Sequence, residues 1–338
     1  MNNIYKNQRI LVSGGSGSWG NELASQLLKL QPKEIIIFSR GEISQVAMER
    51  KFNNKLLKFV IGDISNKRSV ERVFSLGIDY VLQLAALKHV PICENQPIEA
   101  INSNINGMIN LIDASIKYKI KKFIDVSSDK AVNPSCLYGM TKAIGEKLTI
   151  QANCRTKSTE FICIRGGNVL GTNGSLVPYV INQIKANNEV FITDKRMTRF
   201  FLTLPQAIGL LFQAAEMGIG GETYVMNMPS FYIKDLVELL VEYYGNNSTV
   251  IKEIGAREGE KIHETLISDI ELHRTRFVNG NYYVIYPQLK TGRTYFHIWD
   301  DPEYSQSVNL PANGLSSNDN LKDKEYLKKL LQKGGWLQ

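Results

Sequence analysis

The chain has 338 residues, of which 43% are apolar and 22% are charged, and its formal net charge is +7. This length supports a large core, and the composition is typical of a soluble globular protein. The lysines are dispersed rather than interleaved with aromatic residues, which favours a solvated surface or attraction to an anionic substrate over nucleic-acid binding. The N-terminus lacks a signal-peptide pattern, and no apolar run approaches the roughly 18 residues that a transmembrane helix needs. We therefore expect a cytoplasmic protein without a membrane span or a nucleic-acid partner.

The cysteines and histidines do not have the spacing of metal ligands. The four cysteines form no CxxC pair, and the four histidines are scattered along the chain. The sequence therefore predicts reduced thiols and no metal site.

Short apolar strand patterns alternate with helical patterns through the first half of the chain. The predicted strands cover residues 9–13, 34–39, 58–63, 79–84, 122–127 and 160–165. The main predicted helices there cover residues 19–30, 97–118 and 138–152. This alternation predicts an α/β fold with a doubly wound parallel sheet.

A glycine-rich loop follows the first predicted strand and opens the first predicted helix. Its glycines let the backbone turn tightly beside a pyrophosphate, which the helix N-terminus then stabilises. A plain turn would explain the glycines alone, but their place in the β-α alternation indicates a nucleotide site. The residues predicted to contact the cofactor here are Gly14, Ser16, Gly17, Ser18, Trp19 and Gly20.

The end of the second predicted strand bears on the choice between NADP and NAD. An NAD site has an acidic residue there for the ribose hydroxyls, whereas this chain has Ser39 and Arg40 and no acid until Glu42. Ser39 can bond a 2′-phosphate and Arg40 can pair with it, so we favour NADP. The alternative is that Arg40 is only a solvated loop residue. Asp63, after the third strand, is predicted to contact adenine or, alternatively, to cap the next helix.

Two acid/base pairs follow the fifth predicted strand. Tyr138 and Lys142 lie one turn apart on the same face of a predicted helix. A neighbouring cation favours the phenolate, so Tyr138 can remove a hydroxyl proton while a hydride leaves the same carbon. Asp129 and Lys130 form a second pair that an enzyme which only oxidises an alcohol would not need. The alternative is that Lys130 is a structural ion-pair partner of Asp129.

These motifs resemble the extended short-chain dehydrogenase/reductase superfamily and, more narrowly, the soluble UDP-N-acetylglucosamine 4,6-dehydratases, particularly the inverting enzymes of pseudaminic acid biosynthesis. Tyr-x-x-x-Lys marks only the superfamily, whereas the Asp-Lys pair marks the dehydratases. The resemblance covers nearly the whole chain. Its further matches lie at residues 38–40, 62–63, 85–91, 103–107, 128–131, 133–134, 167–169, 197–200 and 259–264.

The resemblance implies an NADP-dependent lyase that dehydrates a UDP-sugar across C4, C5 and C6. Lys142 would bind the nicotinamide ribose, and Tyr138 would take the C4 hydroxyl proton. Lys130 would remove the C5 proton, which requires burial and the Lys142 cation to lower its pKa. Asp129 would protonate the departing C6 hydroxyl, and Ser128 would donate to the 4-hydroxyl.

Other site residues are carried over from the same resemblance. Arginine and backbone amides are the expected ligands of a sugar-nucleotide diphosphate. The further cofactor contacts are Ala85, Ala86, Lys88 and Asn104, and the substrate contacts are Lys88, Asn168, Val177, Arg199, Arg257 and Glu260.

One departure from the family pattern bears on the substrate pocket. Gly166 stands where the family commonly has tyrosine, which predicts a larger or looser pocket. Dehydration of UDP-N-acetylglucosamine with inversion at C5 is the leading hypothesis. The alternatives are retention at C5, release of a 5,6-unsaturated sugar, a UDP-sugar 4-epimerase and a non-catalytic nucleotide-sensing protein.

The second half of the chain predicts a smaller lobe and an oligomer. We expect an NADP-binding domain over residues 1–167, with a returning segment near 197–228. A C-terminal α/β substrate-binding lobe would cover 168–196 and 229–338. Within it we expect helices at 233–244 and 323–333, an exposed loop at 302–323, and a hairpin at 275–287 that turns at Asn279-Gly280. The resemblance implies a homo-oligomer, either a dimer or a hexamer, paired through the helices at 97–118 and 138–152.

Overall fold

The computed structural model describes residues 3–172, 174–278, 280–292 and 305–337. Its strands are β1 Arg9–Ser13, β2 Glu34–Ser39, β3 Leu57–Ile61, β4 Tyr80–Gln83, β5 Lys122–Ser128, β6 Glu160–Gly166, β7 Asn168–Val169, β8 Glu189–Ile192, β9 Thr198–Leu202, β10 Thr223–Met226, β11 Ser230–Tyr232, β12 Val250–Glu253, β13 Thr265–Ser268, β14 Thr275–Val278, β15 Tyr282–Ile285, β16 Ser305–Ser307 and β17 Gly314–Ser316.

Helices cover the faces of the sheet and build the C-terminal lobe. They are α1 Ser18–Leu28, α2 Glu42–Phe52, α3 Lys67–Phe74, α4 Val90–Asn95, α5 Pro97–Ile101, α6 Gly107–Lys117, α7 Leu137–Arg155, α8 Leu176–Asn187, α9 Leu204–Met217, α10 Ile233–Tyr244 and α11 Lys324–Lys333. Short 3-10 turns cover Asp129–Ala131 and Asp269–Arg274. None of the helices in the described ranges is long and apolar enough to cross a membrane.

In the described part of the chain, ten strands form one sheet in the order β16-β14-β15-β10-β6-β5-β4-β1-β2-β3. The strands from β3 to β10 in this order are parallel to one another. From β1 the chain first adds β2 and β3 on one side and then returns to place β4 on the other side of β1. The predicted doubly wound α/β fold is confirmed. Such a reversal point is where open parallel sheets bind their ligands, at the carboxyl ends of the strands.

Each central strand buries both of its faces, which is why its sequence is a continuous apolar run. Ile10 and Val12 pack with helices α1 and α9 on one face, and Leu11 packs with α3 and α6 on the other. A separate core formed by α8, α10, α11 and neighbouring strands stabilises the C-terminal lobe. The central sheet and the C-terminal lobe therefore each have a hydrophobic core.

Two predictions about local structure need correction. The helix expected at 97–118 is interrupted by a π-helical turn at Asn102–Asn106. The region 302–323 is not only a loop, because β16 and β17 lie within it. The hairpin of β14 and β15 is confirmed, with Thr275 opposite Ile285, although Asn279 lies outside the described residues. This hairpin extends the central sheet beside β10 and does not belong to the separate lobe core.

Candidate active site

The glycine loop after β1 lies against the chain that follows β4. Gly14 has a φ of +66°, and a Cβ built on it would lie 2.7 Å from the Cα of Ala85. A Cβ on Gly20 would lie 1.9 Å from the carbonyl oxygen of Gly15. Only glycine fits these two positions, and the close approach leaves backbone N–H groups at the start of α1 available to an anion. The geometry fits the pyrophosphate cradle that the sequence predicts.

A cluster of hydroxyl groups lies between the glycine loop and the end of β2. The Ser16 and Ser39 hydroxyls are 2.9 Å apart, and Ser44 Oγ donates to Ser16 Oγ at 3.0 Å. Gln45 donates an amide hydrogen to Ser39 Oγ at 2.9 Å. Sequence reasoning missed Ser44 and Gln45, because both lie on α2 rather than in the strand end. The Gln45 side chain is buried and also donates to the carbonyls of Ser39 and Val60, so it holds Ser39 in place, whereas the Ser44 hydroxyl belongs to the cluster.

Arg40 and Asp63 lie at the rim of this cluster. Arg40 is exposed, and its guanidinium lies 3.7 Å from the Asp63 carboxylate. Asp63 Oδ1 accepts from both the backbone N–H and the hydroxyl of Ser65, each at 2.8 Å. Asn66, not Asp63, caps the following helix. Asp63 therefore stabilises its own turn, and its contact with adenine stays a prediction.

Asn104 holds the loop that carries Ala85, Ala86 and Lys88. Its side chain accepts from Leu87 N at 2.8 Å and donates to Leu87 O at 2.9 Å. The Asn104 side chain can reach this loop because it lies in the π-helical turn, a feature often found at functional sites. Burial lowers the pKa of Lys88. Asn104 thus positions the backbone of this loop, and its contact with the cofactor stays a prediction.

Lys142 is paired with a carboxylate that the sequence analysis missed. Its Nζ lies 3.2 Å from Asp125 Oδ1, and both side chains are buried. Asp125 could have been noticed as an acid inside the apolar strand β5, where a lone charge requires a partner. Burial raises the pKa of Tyr138, and the nearby Lys142, Lys130 and Ser128 only partly offset that effect. The expected lowering of the Tyr138 pKa is therefore outweighed by desolvation.

Asp129 and Lys130 are in direct contact, in the 3-10 turn that ends β5. Lys130 Nζ lies 3.2 Å from Asp129 Oδ1, and Ser128 Oγ donates to the same oxygen at 2.9 Å. Burial raises the pKa of Asp129, so its neutral, proton-donating form is more accessible than that of a free aspartate. This direction agrees with the predicted role of Asp129 as an acid.

The pKa of Lys130 differs from the one that the sequence predicts. Burial pushes its pKa down, but the carboxylates of Asp129 and Glu264 outweigh burial, so the pKa of Lys130 is raised. The nearby cation is Arg199, not the Lys142 that the sequence analysis invoked. The expectation of a lowered Lys130 pKa is therefore wrong for the protein alone. The error arose because Glu264 is distant in sequence and its contact with Lys130 is purely tertiary.

Glu264 is the most important residue that sequence reasoning missed. Its Oε1 lies 3.3 Å from Lys130 Nζ and 3.8 Å from Arg199 Nε, and its side chain is 3% exposed. The cations of Lys130, Arg199 and Lys261 outweigh burial and lower the pKa of Glu264. The residue ends the 259–264 motif, which was identified, but nothing in the spacing placed it beside Lys130.

The remaining predicted substrate residues are not all brought together. Arg199 is buried and donates to the carbonyls of Thr198, Ile262 and Lys261, so it anchors the 259–264 segment to β9. Val177 is 1% exposed within the lobe core, which argues against a substrate contact through its side chain. Asn168 lies in β7 beside β9. Arg257 is exposed in the turn that precedes Glu260. The substrate contacts of these residues stay predictions.

Arg165 joins the sheet to the 3-10 turn at Asp269–Arg274 through a buried charge network. Its guanidinium donates to Glu146 at 2.6 Å and 2.8 Å and to Glu271 at 2.8 Å and 2.9 Å. Glu146 follows Lys142 by one helical turn, so this network also fixes α7. A Cβ on the adjacent Gly166 would meet no atom within 4 Å, which agrees with the space expected where the family commonly has tyrosine.

Comparison with known proteins gives the chain its family. Residues 10–286 match the family model described as polysaccharide biosynthesis protein. A UDP-N-acetylglucosamine 4,6-dehydratase (inverting) of Campylobacter jejuni is 39% identical over 291 residues, covering 85% of each chain. A UDP-glucose 4-epimerase of Rickettsia felis is 39% identical over 285 residues, covering 82% of this chain and 83% of its own.

Another relative and two solved structures extend the comparison. A protein of Methanocaldococcus jannaschii named an uncharacterized membrane protein is 39% identical over 295 residues, covering 85% of this chain and 88% of its own. The structure of Pen from Bacillus thuringiensis matches with a TM-score of 0.91 and 35% identity, covering 99% of this chain and all of that one. The dTDP-glucose 4,6-dehydratase DesIV of Streptomyces venezuelae, at 20% identity and a TM-score of 0.68, covers 75% of this chain and 86% of its own and shares the fold.

The fold and the site define an enzyme of the short-chain dehydrogenase/reductase type, in its dehydratase and epimerase branch. The chain belongs to the polysaccharide biosynthesis protein family. The resemblance to the UDP-N-acetylglucosamine 4,6-dehydratases is confirmed. Dehydratases and epimerases both occur among the relatives, so the family alone does not decide between the two reactions.

Proposed function

We propose that this protein is an NADP-dependent UDP-N-acetylglucosamine 4,6-dehydratase that inverts C5. The observation that carries the proposal is the contact of Lys130 with Asp129 at 3.2 Å, in a turn electrostatically coupled to Tyr138. A 4-epimerase needs a base at C4 only. Removing a C5 proton and a C6 hydroxyl needs a second acid and base, which this turn supplies.

The cofactor assignment rests on the residues around the glycine loop. Ser16, Ser39 and Ser44 offer three hydroxyls where a 2′-phosphate would lie, and Arg40 offers a cation at their rim. No acid lies at the end of β2 to bond ribose hydroxyls. NADP would accept hydride from C4 and return it to C6, so the cycle consumes no reducing agent.

The chain's own residues divide the proton transfers. Tyr138 takes the C4 hydroxyl proton, and the resulting ketone acidifies the C5 proton. Lys130 removes that proton while Asp129, whose pKa is raised by burial, protonates the departing hydroxyl. Ser128 donates to the Asp129 carboxylate and holds it toward Lys130.

A homodimer is proposed on the basis of exposed apolar side chains. Met140 and Ile144 lie one turn apart on α7 and are 46% and 44% exposed. Ile98 on α5 is 65% exposed, and Ile109 on α6 is 38% exposed. These residues lie on the helices expected to pair, and a second copy of the chain would remove them from water.

The test is incubation with UDP-N-acetylglucosamine in D₂O, followed by proton NMR. A new C6 methyl signal with deuterium at C5 is expected, and the ring couplings report the C5 configuration. Lys130→Ala should abolish dehydration while NADP still binds, and the control Lys333→Ala, exposed at the end of α11, should remain active. An unchanged sugar or only a galacto product would contradict the proposal.

A further inference from the structure

The 259–264 segment crosses from the C-terminal lobe to the turn that carries Lys130. The hydroxyl of Ser135 donates to Gly259 O at 2.7 Å, and Lys261 Nζ donates to Val132 O at 2.6 Å. These two bonds hold the 259–264 segment against residues 132–135, which follow the turn that carries Lys130. The position of Glu264 beside Lys130 is therefore set by the backbone of the segment and not only by a flexible side chain.

Lys130 is consequently held between two buried carboxylates. Its Nζ lies 3.2 Å from Asp129 Oδ1 and 3.3 Å from Glu264 Oε1. The side chains of Asp129 and Glu264 are 1% and 3% exposed, so little water competes for the ammonium. Among the described residues Glu264 Oε2 accepts no hydrogen bond, and the Lys261 ammonium lies 3.7 Å from it.

An ammonium cannot remove the C5 proton, so Lys130 must first lose a proton of its own. Asp129 is a poor acceptor, because in the proposed reaction it must already carry the proton for the C6 hydroxyl. Glu264 is equally close and has no other proposed role. Transfer from Lys130 to Glu264 turns an ion pair into two neutral groups. It costs free energy in the protein alone, because the pKa of Lys130 is raised and that of Glu264 is lowered, so the neutral pair is a transient form that the removal of the C5 proton uses.

We propose that Glu264 is a positioning residue for elimination, which takes the proton from Lys130 and leaves it as a neutral amine. One N–H bond of Lys130 breaks and one O–H bond of Glu264 forms. The amine then takes the C5 proton, the C5–H electrons form the C5–C6 double bond, and the C6 oxygen leaves as water with the Asp129 proton. This inference rests on the proposed dehydratase function.

The charges around Glu264 set the conditions for this transfer. Lys130 and Asp129 face it from the turn after β5, Arg199 faces it from β9, and Lys261 lies on its own segment. These three cations keep Glu264 ionised in the protein alone. An ionised Glu264 is the form that can accept a proton, so wild-type elimination should be insensitive to pH around neutrality.

The experiment compares Glu264→Gln with wild type and measures C4 oxidation, C5 deuterium exchange and elimination separately. Glutamine keeps the shape but cannot accept a proton, so C5 deuterium exchange and elimination should fall about 100-fold or more. C4 oxidation should persist, and reduced nicotinamide should accumulate in a single turnover. Elimination by the variant should rise with pH, because its Lys130 must lose a proton to solvent.

Controls separate this role from a structural one. Glu264→Asp should restore part of the elimination, and Glu258→Gln, exposed just before the 259–264 segment, should behave as wild type. Elimination by Glu264→Gln at the wild-type rate would overturn the inference. So would a slow variant with the wild-type pH profile and no reduced cofactor. A wild-type protein that leaves UDP-N-acetylglucosamine unchanged would refute the proposed function itself, and this inference with it.

Discussion

Glu271→Gln tests whether the buried Arg165 network stabilises the protein through charge. Glu271 is 7% exposed and receives two bonds from Arg165 and two from Ser268. Burial raises the pKa of Glu271, but Arg165 and Ser268 outweigh burial and lower it from 4.5 to about 2. Because one pKa unit corresponds to about 1.4 kcal/mol, this lowering of the Glu271 pKa corresponds to about 3 kcal/mol.

The sign of the pH dependence follows from the lowered pKa. Above pH 4.5 the carboxylate is ionised in both the folded and the unfolded chain, and its full contribution to stability is present. Between 4.5 and about 2 the unfolded chain binds the proton first, so the contribution is lost as pH falls. Glu271→Gln should therefore lower the free energy of unfolding by about 3 kcal/mol at pH 7 and by progressively less in acid.

Urea unfolding, followed by circular dichroism at neutral and acid pH, measures this difference. Asp269→Asn is the matched control, because Asp269 is exposed in the same turn, and its unfolding should stay close to wild type. The reasoning is refuted if Glu271→Gln and wild type differ by the same amount at every pH. That result would assign the effect to packing, or to the bonds that Glu271 accepts from the N-cap residue Ser268, rather than to the ionisation of Glu271.

Other predictions concern the site and the assembly. Asp125→Asn should leave the Lys142 ammonium unpaired and lower the free energy of unfolding by about 3–5 kcal/mol; a urea midpoint equal to wild type would contradict this. Arg40→Ala should weaken NADP about tenfold while barely changing NAD, as measured by fluorescence titration; equal losses for both cofactors would remove Arg40 from the 2′-phosphate site. The double substitution Met140→Glu and Ile144→Glu should dissociate a dimer in light scattering after gel filtration, and an unchanged mass would place the interface elsewhere.

Local sequence determined the central sheet. The strands at 9–13 and 34–39 were predicted to the residue, because a strand buried on both faces is a continuous apolar run bounded by turn residues. The glycine loop was equally readable, since its conformation excludes a Cβ at Gly14 and Gly20. The interruption of the helix at Asn102–Asn106 was not, because the π-helical turn is held by contacts of Asn104 with Leu87 and Thr141.

The amino-acid sequence by itself determined which chemical groups follow β5: Ser128, Asp129, Lys130, Tyr138 and Lys142 are neighbours through chain spacing and helix periodicity. Only the tertiary structure decided how burial and neighbouring charges shift the pKa values of Asp129, Lys130, Tyr138 and Lys142. Glu264 reaches Lys130 from the C-terminal lobe, and Asp125 reaches Lys142 from inside the sheet. The physical reason is that burial and through-space ion pairs set a pKa, and neither depends on separation along the chain.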